Sequence, residues 1–186
     1  MPKRSKDTIT IGSGIPYVME WDGTTLPDEQ TICVDANRLG YIKGGAALEY
    51  TAENHPEKDD LGYVSKNVVT AEEALLKMGL LTWNGTQLKY LVDRCKVTED
   101  TTKGLRTIHL GGAGNAQGKS WVVCIHHPDK KDGDLWVTIA GNNTAGLTLT
   151  LAIDEGSVLE PEFAALPHDT DGTLVRITEE IDKKTT

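Results

Sequence analysis

The 186-residue sequence is poor in cysteine, and it has no long apolar run. Its three cysteines, Cys33, Cys95 and Cys124, are odd in number and widely spaced, without a C-x-x-C pair. This excludes a disulfide framework and a cysteine-rich zinc site, and we expect small buried thiols instead. No stretch approaches the roughly eighteen apolar residues of a membrane helix. The charged first residues lack a following apolar stretch, so the sequence predicts a chain made in the cytoplasm that inserts in no membrane.

Positive charge is also scarce. There are 19 basic and 28 acidic residues, which gives a formal net charge of -9, and no basic stripe follows the first six residues. A protein that binds nucleic acid through its phosphates normally has the opposite balance. We therefore expect this chain to repel DNA.

The sequence lacks the usual signatures of an enzyme. It has no G-x-S-x-G and no H-E-x-x-H motif. Residues 113–120 resemble a relaxed phosphate-binding loop that ends in Gly118, Lys119 and Ser120, but the following residues, Trp-Val-Val-Cys-Ile-His, predict a strand where a true loop needs a helix. Nucleotide hydrolysis through Lys119 and Ser120 stays the weakest alternative. We predict no enzyme and no cofactor.

The adjacent His126 and His127 predict no metal site. Neighbouring residues of a strand point to opposite faces, so the pair would need a third ligand, such as His109. The acidic stretch at residues 129–134 lacks the spacing of a calcium loop and predicts a turn.

What the sequence does contain is alternation of apolar and polar residues, which is typical of strands. It predicts a mainly β fold, a two-sheet antiparallel sandwich or partial barrel with one or two short helices. The predicted strands cover residues 17–21, 31–34, 39–51, 61–69, 106–110, 119–126, 134–140, 147–153 and 173–178. Hairpins are expected to join 39–51 with 61–69, 106–110 with 119–126, and 134–140 with 147–153. Helices are predicted at residues 70–79, where Thr70 can cap and Gly79 can end the helix, and at 86–95.

The chain is predicted to have three parts. Residues 1–16 form an N-terminal arm, residues 17–178 form the β-sandwich domain, and residues 179–186 form a C-terminal tail. Residues 52–60 are polar and contain a proline, and we expect them to form a protruding loop.

Several short sequence motifs carry a family resemblance. They are Lys-Gly-Gly-Ala-Ala-Leu-Glu-Tyr at 43–50, Lys-Asp-Asp-Leu-Gly at 58–62, the stretch 70–79, Leu-Thr-Trp-Asn-Gly at 81–85, Ile-His-Leu-Gly-Gly at 108–112, Ile-His-His-Pro-Asp at 125–129, Asp-Gly-Asp at 132–134 and Glu-Phe-Ala-Ala-Leu-Pro at 162–167. Together they make residues 39–177 resemble the major tail tube proteins of tailed bacteriophages and phage tail-like particles, particularly those of Gram-positive hosts. None of these sequence motifs is a catalytic signature.

The resemblance implies a sandwich whose protomers assemble into rings, usually hexameric, that stack into a tube. Each protomer would lend four strands to a continuous β-barrel around a channel through which DNA passes without specific binding. The implied partners are further copies of the chain, with sheath, tape-measure and tail terminator proteins as additional ones. The implied location is the virion tail or a tail-like particle, after synthesis in the bacterial host cytoplasm.

Ring closure suits the predicted strands, because it pairs every open sheet edge with a neighbour. Six protomers with four strands each give a backbone diameter of about 37 Å before tilt. The polar faces of the strands are expected to line the channel, where carboxylates repeated around the ring would repel DNA. The candidates for this lining are Glu49, Thr51, Ser65, Asn67, Asp134, Thr138, Thr148, Thr150 and Asp154. The candidates for contacts between rings are Glu53, Glu57, Lys58, Asp59 and Asp60.

The sequence leaves one further class open. A monomeric β-sandwich that serves as a binding or baseplate module of a phage or secretion apparatus would also lack catalytic residues. Amphipathic strands alone do not separate the two, because a monomeric sandwich also has one apolar and one polar face to each strand.

Overall fold

A computed structural model describes residues 3–182 and consists mainly of antiparallel strands. Along this part of the chain, the strands are β1 Ile15–Trp21, β2 Ile42–Lys58, β3 Ser65–Leu80, β4 Cys95–Asp100, β5 Leu105–Leu110, β6 Ser120–His127, β7 Leu135–Asn143, β8 Glu162–Leu166 and β9 Val175–Glu179. The helices are α1 Glu29–Ile32 and α2 Leu88–Leu91, and 3-10 turns lie at Asp35–Asn37 and Ala113–Asn115.

Seven strands form one antiparallel sheet. Its order is β1-β6-β7-β8-β3-β2, and β9 also pairs with β7. Strands β9 and β8 share one edge of β7, because β9 pairs with residues 135–139 and β8 pairs with residues 140–143. Strands β4 and β5 form a separate two-stranded sheet.

The large sheet curves back on itself to make a sandwich. In the strand order β3 is separated from β6 by two strands, yet Leu76 and Met78 of β3 lie in one buried cluster with Val123 and Ile125 of β6. Phe163 of β8, which is fully buried, belongs to the same cluster. The predicted mainly β, antiparallel sandwich with short helices is confirmed.

Residues 22–37 cover the opposite face of β6. Leu26 and Ile32 pack there against Val122, Cys124 and Ala140 in a second buried cluster. Strand β6 is therefore apolar on both faces, which accounts for its continuous Trp-Val-Val-Cys-Ile run.

The predicted strand at residues 31–34 is wrong. Its first half belongs to the short helix α1, because the Asp28 carboxylate accepts a hydrogen bond from the backbone N–H of Thr31 at 2.7 Å and caps the helix. Alternation over four residues is too short a pattern to outweigh this cap.

The predicted helix at residues 70–79 is wrong, because these residues lie in β3. Ala74, Leu76, Met78 and Leu80 are buried, whereas the residues between them are half-exposed, which is the period of a strand. The cap and terminator signals fit a helix equally well, but pairing with β2 and β8 decides the conformation. A ten-residue helix has little stability of its own to set against two strand partners.

The other local predictions agree with the structure in part. The strand expected at 17–21 is β1, and the strand expected at 173–178 is β9, displaced by one or two residues. The helix expected at 86–95 is the single turn α2, and a strand follows Lys119 as predicted.

Two predicted hairpins are wrong in their pairing. Strand β5 pairs with β4, and β6 pairs with β1 and β7. Strand β7 pairs with β6, β8 and β9, and residues 147–153 form no strand with it. The predicted loop at 52–60 is also wrong, because β2 continues to Lys58 and the turn occupies 59–64.

The N-terminal arm packs on the turn before β7. The backbone N–H of Arg4 donates to the carbonyl of Asp132 at 2.9 Å, and the guanidinium donates to the carbonyl of Gly133 at 2.9 Å. The arm leads into β1, which begins at Ile15, and the predicted C-terminal tail begins inside β9. Residues 1–2 of the arm and 183–186 of the tail lie outside the described residues.

Gly141 lies where the pairing partner of β7 changes from β9 to β8. A side chain at this position would disrupt the sheet. A Cβ atom on Gly141 would lie 2.0 Å from the carbonyl oxygen of Ala164. We expect Gly141→Ala to lower the free energy of unfolding by about 1–3 kcal/mol, measured by urea denaturation. Gly114→Ala is the control, because nothing lies within 4 Å of its Cβ position, and we expect a change within about 0.5 kcal/mol. Equal midpoints for the two variants would contradict the assigned packing.

Candidate assembly surface

Strands β2 and β3 form a long ribbon that extends beyond the rest of the sheet. Strand β2 has 17 residues and lies at the end of the sheet, where β3 is its partner. Strand β3 pairs with β8 only at residues 75–77, so residues 65–74 leave the sheet with β2 alone. Ten residues of strand span about 33 Å. We call residues 48–58 and 65–74, with their connecting turn, the ribbon.

The ribbon ends in an ordered turn with an apolar surface. The Asp59 carboxylate accepts hydrogen bonds from the backbone N–H groups of Leu61, at 3.3 Å, and Val64, at 2.7 Å. Leu61, Tyr63 and Val64 are exposed, Tyr63 to 84%. A large aromatic side chain in water at the tip of a hairpin contributes little to folding, so it is available to a partner.

The two faces of the ribbon differ in charge. Residues paired across antiparallel strands share a face, and an extra residue in β3, Thr70, shifts the register beyond Glu53. One face, which we call the acidic face, carries Ala47, Glu49, Thr51, Glu53, His55 and Glu57 from β2 with Lys66, Val68, Ala71, Glu73, Leu75 and Lys77 from β3. The opposite face carries Ala46, Leu48, Tyr50, Ala52, Asn54, Pro56 and Lys58 with Ser65, Asn67, Val69, Glu72, Ala74, Leu76 and Met78.

This register corrects the predicted channel lining. Glu49 and Thr51 lie on the acidic face, whereas Ser65 and Asn67 pair with Lys58 and Pro56 on the opposite face. The four residues therefore cannot line one surface together. The sequence pattern could not show this, because the bulge at Thr70 reverses the parity of β3 only in the paired structure.

Ion pairs neutralise part of the acidic face. Lys77 Nζ lies 2.8 Å from Glu49 and 3.4 Å from Glu162 of β8. The hydrogen bond to Glu49 raises the pKa of Lys77, with a smaller contribution from Glu162. Glu53, Glu73 and Lys66 make no ion pair within residues 3–182, and Glu57 contacts His55, so this face keeps a net negative charge.

The predicted contacts between rings fall in two places. Glu53, Glu57 and Lys58 are strand residues of β2, and Asp59 and Asp60 lie in the turn. The Asp59 carboxylate is occupied by the turn itself, whereas Asp60 is exposed.

Residues 147–153 form a second unpaired surface. Leu147 packs against the main core, and Leu149, Leu151 and Ile153 are exposed, Leu151 to 83%. Thr148, Thr150 and Ala152, with opposite parity, line an open cavity of about 620 Å³ together with Lys43 and Gly44 at the start of β2. The segment thus has the alternation of a strand without strand pairing.

The placement of Thr148 and Thr150 at a channel stays a prediction. Thr148 and Thr150 face the cavity beside β2, and the leucines after Leu147 face solvent. Asp154 follows the segment and is exposed.

Two predicted lining residues on and next to β7 do not lie on this surface. Thr138 is fully buried and is therefore removed from the channel-lining candidates. Asp134 is half-buried and accepts hydrogen bonds from His126 Nε2 at 2.8 Å and from the backbone N–H of Asp129 at 2.8 Å. Burial raises the pKa of Asp134, but these hydrogen bonds outweigh it and leave the pKa below its usual range. We assign Asp134 to the turn before β7.

The side chains considered for nucleotide and metal binding make other contacts or lie on different strands in the described part of the chain. Lys119 precedes β6 and contacts Glu20 at 2.5 Å. His126 stacks on Trp136, whereas His127 contacts the carbonyl of Ser13 at 3.0 Å and His109 lies on β5 in the other sheet. Within residues 3–182, no three His, Cys, Asp or Glu side chains are grouped so that they could hold a metal ion. None of the helices described here has the length and apolar character to cross a bilayer.

Comparison of the sequence with models of protein families gives no match, and comparison with curated proteins gives none either.

Hydrogen exchange tests whether the ribbon lacks support in the isolated chain. A two-stranded ribbon with both faces in water is marginally stable, because it buries little apolar surface. In a dilute solution we expect amides of residues 49–57 and 66–73 to exchange at least about a hundredfold faster than those of residues 122–125 in β6. Mass spectrometry of peptides from the two regions measures this ratio, and equal protection would contradict the exposed ribbon.

Proposed function

We propose that this chain is a structural protein that forms the tail tube of a phage or of a phage tail-like particle. Rings of the chain, six copies each by the resemblance, would stack around a channel through which DNA passes. The observation that carries the proposal is the ribbon, a long edge of the sheet in which residues 49–58 and 65–73 are exposed on both faces. Exposed edges of this length are a liability in a monomer, and cyclic assembly removes them by pairing them with neighbours.

The segment 147–153 supports self-assembly for a separate reason. Residues 144–153, Thr-Ala-Gly-Leu-Thr-Leu-Thr-Leu-Ala-Ile, contain no charge and no proline. Proteins that remain monomeric protect such strand-like segments with lysine, proline or a covering element. An uncharged alternating segment in solvent fits a strand that pairs in the assembled state.

The size of the channel requires more than the ribbon. In a ring of six, two strands from each copy give a backbone diameter of about 18 Å before tilt and about 24 Å at a tilt of 40°. Side chains would narrow this further, so a duplex would not pass. A third strand from residues 147–153 raises the diameter to about 27 Å before tilt and about 36 Å with it. We therefore include this segment in the barrel, and β7, which is buried in the sandwich, is left out.

The acidic face is the one that we assign to the channel. Glu53 and Glu73 provide two carboxylates per copy without an ion partner in the described chain, which makes about a dozen in a ring of six. Low-dielectric walls focus the field of such charges, so DNA would be repelled from the wall and pass without binding. Glu49 and Thr51 would lie on the same wall, with Lys77 offsetting the charge of Glu49.

The remaining surfaces are assigned to assembly partners. The tip of the ribbon, with Asp60, is the candidate contact between stacked rings. Sheath, tape-measure and tail terminator proteins are the proposed further partners in a virion tail that assembles in the host cytoplasm. The proposal involves no enzyme activity and no cofactor.

Electron microscopy and sedimentation of the purified chain test the proposal. We expect rings or tubes at high protein concentration, and Leu151→Lys should abolish them without changing the urea midpoint, because Leu151 is exposed in the single chain. The matched control is Leu105→Lys on β5, where an exposed leucine lies outside the proposed barrel.

Three results would oppose the proposal. A wild-type chain that stays monomeric under all conditions would favour the alternative, a binding or baseplate module. Assembly of Leu151→Lys would remove the segment 147–153 from the interface. Loss of assembly in both variants would show that the effect does not come from this segment.

Charge reversal on the acidic face tests which face lines the channel. Wild-type tubes should not retain duplex DNA, whereas tubes of the double variant Glu53→Lys and Glu73→Lys should, because the wall becomes cationic. Cosedimentation with DNA at increasing salt measures this, and retention should weaken as salt rises. The control double variant, Glu20→Lys and Asp171→Lys, changes the charge equally outside the ribbon. Equal retention by both double variants would contradict the assignment.

A further inference from the structure

Cys33 and Cys124 are far apart in sequence but adjacent in the structure. Their Sγ atoms lie 3.8 Å apart, although 91 positions separate the two residues. Cys124 is buried on β6, and Cys33 follows α1 and is half-buried. The sequence alone indicated only separate buried thiols, because spacing along the chain carries no information about this contact.

The contact joins two elements that are held by other interactions as well. Cys33 belongs to residues 22–37, which cover β6 and which we call the strap. Arg176 of β9 lies 3.2 Å from the Glu29 carboxylate and donates to the carbonyl of Leu26 at 3.2 Å. Thr178 donates to Glu29 at 2.7 Å. These contacts fix the strap on the sheet and keep the two thiols facing each other.

The hydrogen bond between the thiols changes their acidity in opposite directions. The hydrogen bond from Cys33 lowers the pKa of Cys124, whereas the same bond, with burial, raises the pKa of Cys33. Cys124 is therefore a better nucleophile than an isolated buried thiol. Cys33, which is half-buried, is the more accessible of the two to a reagent.

We propose that Cys33 and Cys124 form a reversible intramolecular disulfide that locks the strap onto the sheet. The oxidant is a small disulfide, for which oxidised glutathione is the probe. The Cys33 sulfur, the more accessible of the two, attacks one glutathione sulfur while its proton passes to the Cys124 thiolate, and one glutathione thiolate leaves and takes up the proton from Cys124. The thiolate of Cys124 then attacks Sγ of Cys33 in the mixed disulfide and releases the second glutathione. Two protein thiols are oxidised, one glutathione disulfide is reduced, and both thiol protons leave to solvent or to the released thiolates.

The geometry needs little change for this reaction. A disulfide bond is about 2.05 Å long. The two sulfurs, 3.8 Å apart, must therefore approach each other by less than about 2 Å. Cys95 lies at the start of β4 in the other sheet and is not part of the pair. The product should therefore be a single defined bridge.

The bridge would suit a protein that folds in one redox environment and acts in another. Bacterial cytoplasm keeps thiols reduced, and the extracellular medium allows disulfides to persist. A tail tube would meet both, and the strap would lock after release from the host. This use of the bridge rests on the proposed function, whereas the bridge itself does not.

The test is oxidation of the folded full-length chain in glutathione buffers of varied ratio, followed by alkylation under denaturing conditions and mass spectrometry. We expect the number of alkylated thiols to fall from three to one, with tryptic peptides 7–38 and 120–130 joined. The oxidised chain should remain a single chain on a non-reducing gel. Its Tm should rise by about 5 °C or more, because the bridge closes a long loop of the unfolded chain.

Single variants control the assignment. Cys95→Ser should still form the bridge. For Cys33→Ser and for Cys124→Ser, the Tm in the oxidising buffer should equal the Tm of the same variant in the reducing buffer. Retention of three alkylated thiols, arrest at a glutathione adduct of Cys33, or bridges that involve Cys95 would each overturn the proposal. Mass spectrometry reads the bridge whether or not the chain forms tubes, so its failure is distinct from failure of the tube proposal.

Discussion

Strand β3 joins the ribbon to the body of the molecule through three residue pairs with β8 and through further contacts near its end, where Leu80 pairs with Leu159. Leu76 and Phe163 make the central pair, and both are buried in the main core. Next to them Lys77 contacts Glu49 of β2 and Glu162 of β8, so one ammonium group connects three strands. Residues 65–73, which precede these contacts in β3, are exposed. Strand β3 therefore contributes to the core at its C-terminal end and lies in solvent at its N-terminal end.

Sequence reasoning succeeded where a local pattern has a single structural outcome. The antiparallel sandwich, β1, β9 and the strand after Lys119 follow from alternation and from turns. It failed where two outcomes share one pattern. Residues 70–79 begin with a capping threonine and end with a glycine, and their apolar residues alternate at the same time. Only the presence of β2 and β8 on either side decides for a strand, and that information is distant in the chain.

The errors in the candidate surface have a related origin. Pairing partners depend on the whole topology, so β7 was expected to pair with residues 147–153 but lies between β6 on one side and β8 and β9 on the other. Thr138 shows the consequence, since its polar side chain indicated an exposed face whereas residues 22–37 cover that part of the sheet. The predicted faces of Ser65 and Asn67 on the ribbon were wrong because of a single β-bulge. A single unpaired residue, Thr70, reverses the parity of every residue that precedes it in β3.

In the proposed self-assembly, electrostatics and edge pairing would act in opposite directions, and their distribution along the chain would accommodate both. A net charge of -9 on each copy disfavours association at random orientations, because like charges repel over about a Debye length. Residues 144–153 carry no charge, so this repulsion is weakest where the backbone still has groups to pair. The carboxylates of Glu53 and Glu73 lie on a face of the ribbon, perpendicular to its hydrogen-bonding edge, so edge pairing does not require them to be buried. In the proposed ring, charge would therefore oppose contact between two acidic faces and would leave contact between edges as the favoured geometry.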